Sequence, residues 1–181
     1  MIKNKQHLID LLCACLRNFI VCHLGIKQLE QNPKLPKKVT FGTKVQKVSI
    51  SLEKFLTDKN TGETISSKEL FNNCKKSQSR AVLSETYELI KLYCEKSSQI
   101  ERLKNWTYYN FIRVVRHTTS HGTGGTLNKW PPELSKKGIT SVSWKNKIID
   151  KSMLEKPISM TDPEIFQLIF DELDFVKNNL D

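Results

Sequence analysis

The chain of 181 residues has an odd number of cysteines, Cys13, Cys15, Cys22, Cys74 and Cys94, and no Cys-x-x-Cys pair. That pattern argues against a secreted disulfide framework and against a zinc site. It fits a reduced, cytoplasmic protein in which Cys acts as a small buried hydrophobe. A phosphate-binding loop is also missing. The glycines at 122, 124 and 125 follow a predicted helix and lack the Lys-Ser/Thr ending that such loops need. No apolar run is long and clean enough for a membrane span, because Asp10, Arg17 and Asn18 interrupt the stretch Leu8 to Ile26. That stretch reads as a core helix, with no membrane partner. The last absence is the most local one: no acidic residue occurs from Arg102 to Pro132.

The chain carries 29 Lys and Arg against 19 Asp and Glu, a net charge of +10. Such an excess attracts acidic partners, RNA among them, although a generally lysine-rich composition accounts for it equally well. The length suits one domain with a full hydrophobic core.

Hydrophobic periodicity predicts a mainly α fold. A first helix spans about Lys3 to Glu30 and stops at Asn32-Pro33. Residues 33 to 47, rich in Pro and Lys, read as an exposed loop, and a short helix is placed near Ser51 to Thr57. Asn60-Thr61-Gly62 signals a turn. Ser66 with Glu69 is a capping-box start, and Ser79 to Lys96 is strongly helical. A further helix runs from about Gln99 to Ser120, capped by Gly122. Thr140 to Trp144, a turn at 145–147 and Ile148-Ile149 read as a β-hairpin. The last helix opens at Thr161-Asp162-Pro163-Glu164, with Asp171, Glu172 and Asp174 assigned to a solvated face.

The acid-free stretch holds Arg102, Lys104, Arg113, Arg116 and Lys129 with Trp106, Tyr108, Tyr109, Phe111 and Trp130. Basic residues interleaved with aromatics suit a phosphate backbone and unstacked bases. Tyr108 and Phe111 fall on a core stripe, whereas Trp106, Tyr109 and Trp130 fit either role. Within the stretch, Arg116-His117 precedes His121. Imidazole is the commonest general acid or base near neutrality. Guanidinium holds phosphate in fixed geometry and keeps its charge. Together they supply a base for a ribose 2′-hydroxyl and a cation for the charge growing on phosphorus. His117 and His121 lie one turn apart and share a face. Arg116 and His121 are rotated by about 140° on an ideal helix. They converge if the helix ends near His121, or if they meet across a dimer.

Arg116-His117-Thr118-Thr119-Ser120-His121 resembles the Arg-x4–6-His motif of HEPN-domain ribonucleases, which often carry a polar residue directly after the Arg. The resemblance implies a HEPN-like helical bundle over residues 1–181 as a single domain, with a hairpin and loop insertion at about 126–158 before the C-terminal helix. It implies a metal-independent endoribonuclease that needs no cofactor. Such an enzyme cuts through the 2′-hydroxyl and leaves a 2′,3′-cyclic phosphate. It implies a homodimer whose two motifs form one cleft, a role as a toxin or antiphage defence effector, and an antitoxin or regulatory partner. By position, His121 is the general base or acid, Arg116 binds the scissile phosphate, and His117 orients groups or assists. Arg113, Lys104, Trp106, Tyr109, Ser120 and Lys129 are candidates for RNA contact. His121-Gly122-Thr123 lacks the Tyr that continues the motif as His-x-Tyr in one toxin subgroup. The alternatives are a non-catalytic RNA-binding or regulatory HEPN-like module and a helical interaction protein.

Overall fold

Leu8, Leu12, Cys15, Leu16 and Phe19 recur at helical spacing and are all buried on α1 (Lys5–Gln31). The computed structural model describes residues 2–31, 38–42, 47–51, 57, 62, 64–121 and 125–181. The side chains at 119–121 are not among them, and within 38–42 and 47–51 only those of Thr40 and Ser49 are. In chain order there follow β1 (Lys38–Gly42), β2 (Lys47–Ser51), α2 (Ser67–Lys96), α3 (Ile100–Lys104), α4 (Tyr109–His121), α5 (Pro132–Lys136), β3 (Ser141–Trp144), β4 (Lys147–Asp150), a 3-10 turn (Lys151–Met153) and α6 (Asp162–Asn179). The described protein is thus mostly helical, with small antiparallel sheets.

Contacts divide the chain into two compact units, residues 1–20 with 77–181, and residues 21–76. In the second, β1 pairs with β2 from Lys38 opposite Ser51 to Gly42 opposite Lys47. Lys75 pairs with Glu30 at 2.7 Å. The exposed loop predicted for 33 to 47 is therefore corrected at 38–42 and 47. Val39, Phe41, Val48 and Ile50 alternate with polar residues, a period that favours strands. The short helix predicted near Ser51 to Thr57 begins on a strand end at Ser51, and 52–56 lie outside the described residues. Thr57 bridges Thr64, and of the turn predicted at Asn60-Thr61-Gly62 only Gly62 lies among the described residues.

The first unit holds the main core. α2 begins within the second unit, where Ser66 Oγ accepts a hydrogen bond from the Glu69 amide at 3.2 Å. Ser98, in the left-handed region at φ 58°, ends the helix, and Gln99 N donates to Cys94 O at 2.8 Å. The single helix predicted from 99 to 120 is instead two. Trp106 N reaches back to Leu103 O, and Tyr109 N to Trp106 O. This tight turn lays the Trp106 ring on Phe175 of α6, with centroids 4.7 Å apart. α4 buries Phe111, Ile112, Val114, Val115 and Thr118.

The excursion after α4 is closed at its base. Leu127 N donates to Lys156 O, Glu155 N to Leu127 O, and Ile158 N to Gly125 O. Inside it, Trp130 is buried and its Nε1 donates to Ile139 O. β3 and β4 form the predicted hairpin, turning at Lys145 (φ 49°). Trp144 stacks on Phe111 at 5.7 Å and its Nε1 donates to Asp171 Oδ2. Thr161 and Glu164 make the capping box of α6, as predicted. Beyond α6 the chain end is tied down. Lys5 Nζ donates to Leu180 O, Asp181 N donates to Gln99 Oε1, and the Tyr93 hydroxyl donates to Asp181 O.

α1 has the length and apolarity to cross a membrane by composition alone, yet its first 15 residues after Asn4 supply five side chains to this core. The cysteines are free thiols. Burial, with Glu85 nearby, pushes the Cys15 thiol up to about 12, and burial pushes Cys94 up to about 11.

The expectation of a solvated acidic face on α6 fails at Glu172. Asp174 is exposed and Asp171 is half-buried, but Glu172 is only 1% exposed. It sits on the stripe of Ile165, Leu168, Ile169 and Val176, at helical intervals from each. Neither of its carboxylate oxygens, nor the buried Thr86 hydroxyl, makes a hydrogen bond of normal geometry. Burial pushes the carboxyl up to about 8; Thr86 is near enough to favour the charged form, and desolvation outweighs it.

Two outcomes follow from this core. Phe111→Ala should destabilise by about 3–5 kcal/mol in denaturant melts. The proton on Glu172 stabilises the fold fully below about pH 4.5, and this contribution is lost as pH rises towards about 8. Glu172→Gln should therefore flatten the fall in melting temperature between those pH values; an unchanged slope would show that Glu172 does not hold its proton.

Candidate functional site

α4 is amphipathic, so burying Phe111, Ile112 and Val115 turns the opposite face outward. Tyr109, Arg113, Arg116 and His117 stand at i, i+4, i+7 and i+8 on that face. All four line one cleft of about 290 Å³. Its other walls are Tyr87, Glu88 and Lys91 of α2, with Pro131, Pro132 and Glu133 at the start of α5. The cleft lies wholly within the first unit.

Two ion pairs among the described residues lie in the cleft. Arg116 Nη2 lies 2.5 Å from Glu88 Oε1. Arg113 Nη2 lies 3.1 Å from Glu133 Oε2, and the Arg113 guanidinium also sits 5.4 Å above the Tyr109 ring. Glu133's own backbone amide, with Arg113 behind it, holds its carboxyl below the usual carboxylate range. Lys91 faces Glu95 at a looser 3.6 Å. Burial raises the Tyr87 hydroxyl above its ordinary range, so it stays a neutral donor and acceptor. A cleft of this kind can hold an anion between two guanidinium groups, with an imidazole and a phenol at hand.

Of the residues chosen from sequence, Arg113, Arg116, His117 and Tyr109 are brought together. Lys104, Trp106 and Lys129 do not line this cleft. Lys104 is paired with Glu101 at 2.6 Å on α3, and Lys129 is exposed in the excursion. Trp106 lines a separate narrow void with Tyr87, Ile90, Leu103, Tyr109, Ile112 and Glu172. α4 ends at His121, one turn beyond His117. The side chains of Ser120 and His121 lie outside the described residues.

Sequence reasoning missed Glu88 and Glu133. The stretch from Arg102 to Pro132 has no acid, but Glu133 is the very next residue, and Glu88 arrives from another helix. The guanidinium groups are thus neutralised by residues from outside the segment. Among the described residues, no group of three or more His, Cys, Asp or Glu is placed to hold a metal ion. No protein-family model, curated protein or solved structure matches the chain.

Both ion pairs are partly open to solvent. A double-mutant cycle on Arg113 and Glu133, read by urea melts, should give a coupling of only about 0.2–1 kcal/mol. A much larger value would make the pair a structural tie.

Proposed function

We infer that this protein is a metal-independent endoribonuclease in which the face of α4 bearing Arg113, Arg116 and His117 handles the scissile phosphodiester. The observation that carries the reading is the convergence of these three side chains with Tyr109 on one cleft. Its chemistry follows from the groups. A neutral imidazole takes the proton from a ribose 2′-hydroxyl. The 2′-oxygen attacks phosphorus, the bond to the 5′-oxygen breaks, and that oxygen leaves with a proton. The products are a 2′,3′-cyclic phosphate and a 5′-hydroxyl. Arg116 binds the phosphate and stabilises its growing negative charge. His121, at the end of α4, is the general base or acid, and His117, in the cleft, orients groups or assists. A homodimer that sets two such faces against each other completes the HEPN-like arrangement. The HEPN-like bundle itself, a toxin or defence role and a cytoplasmic location belong to the same proposal.

The test is cleavage of single-stranded RNA by the purified protein in EDTA. Wild type should cut and leave cyclic phosphate ends. Arg116→Ala and His121→Ala should lower the rate by at least about 100-fold while the circular dichroism spectrum stays unchanged. Equal cutting by wild type and variants would assign the activity to a contaminant. Salt-sensitive RNA binding without any product would favour the second reading, a non-catalytic RNA-binding module.

A further inference from the structure

The cleft's two arginines already hold anions, and both anions belong to the protein. Glu88 approaches Arg116 from α2, and Glu133 approaches Arg113 from α5. A carboxylate and a phosphate present a guanidinium with the same pattern of charged acceptors. We propose that Glu88 and Glu133 are resident competitors that fill two anion subsites, at Arg116 and Arg113, and yield them to adjacent phosphates of a single-stranded RNA. This rests on the reading of the cleft as an RNA site and adds to it a gate that sets affinity.

The geometry separates the fixed half of each subsite from the exchangeable half. At the Arg113 subsite, the arginine is 23% exposed and its guanidinium is seated above Tyr109, whereas Glu133 is 60% exposed. The carboxylate can therefore turn into water while the guanidinium stays in place. At the second subsite Arg116 is again less exposed than its acid, 32% against 43%. Such partly solvated pairs are weak enough to be exchanged for a ligand. They also disfavour any anion that cannot reach both arginines at once. A single mobile anion must displace one carboxylate while the other stays nearby; a phosphodiester backbone displaces both in one event. The gate thus favours a nucleic acid strand over free inorganic phosphate and nucleoside monophosphates.

Charge bookkeeping gives a second readout. In wild type, the carboxylate released from Arg113 regains its own counterion when phosphate takes its place. Without that carboxylate no counterion is recaptured, and binding becomes more sensitive to salt. A purely structural Glu133 would alter stability and leave the salt slope alone.

The experiment uses the full chain and a fluorescent single-stranded RNA with 2′-O-methyl riboses, which 2′-hydroxyl chemistry cannot cut. Affinity is measured by anisotropy at several salt concentrations. Glu133→Gln should bind roughly three- to tenfold more tightly than wild type, with a salt slope steeper by up to about 0.7. Arg113→Gln should weaken binding and cancel that gain in the double variant. Glu88→Gln, at the other subsite, should also tighten binding and stands in if Glu133→Gln disturbs α5. Weaker binding by Arg113→Gln together with unchanged affinity in both glutamine-for-glutamate variants overturns the gate and leaves the RNA site standing. No binding by wild type or by either glutamine-for-glutamate variant overturns both.

Discussion

The amphipathicity of α4 is the constraint on which the rest of the site depends. Val114 and Thr118 are buried as deeply as Phe111 and Ile112, so the helix cannot rotate without exposing its core face. Stacking of Phe111 on Trp144 fixes the same helix against the hairpin. With that face locked inward, Arg113, Arg116 and His117 have one direction left. Their convergence is thus a by-product of core packing, and the site needs no loop of its own to position these groups.

The core behind this face is less uniform than its apolar content suggests. Tyr87 and Tyr109 line both the outer cleft and the narrow void that Glu172 faces. Two aromatic walls therefore separate a buried carboxyl from a charged, solvent-facing surface. A charged Glu172 lacks hydrogen-bond partners in that setting, so the neutral acid is the form the packing accommodates.

Much of the fold was legible because its signals are local. Thr161 with Glu164, Ser66 with Glu69, and the alternation around Lys145 each encode a boundary within a few residues. The break between α3 and α4 was not, because the stripe through Leu103, Tyr108 and Phe111 continues across it. What turns the chain there is the contact of Trp106 with Phe175, 69 positions away in sequence. The β1 and β2 segments carry a period-two pattern in Val39, Phe41, Val48 and Ile50, set among Lys and Pro residues that favour a loop. Glu172 also left a trace: an acid placed on the apolar stripe of α6. For the candidate site, composition named Arg113, Arg116 and His117, but spacing paired only His117 with His121; that the first three line one cleft came from the structure. The partners Glu88 and Glu133 could not be read, since an acid-free segment in sequence is not an acid-free neighbourhood in space.

The five thiols give the molecule an internal clock. Cys22 is open to solvent, while Cys15 and Cys94 are buried and hold their protons well above neutral pH. Thiolate is the reactive form, so an alkylating reagent at neutral pH meets the two buried sulfurs only when the core opens. Cys15 on α1 and Cys94 at the end of α2 are held by different helices of the same core. Their relative rates of modification therefore report whether those helices part together or one after the other.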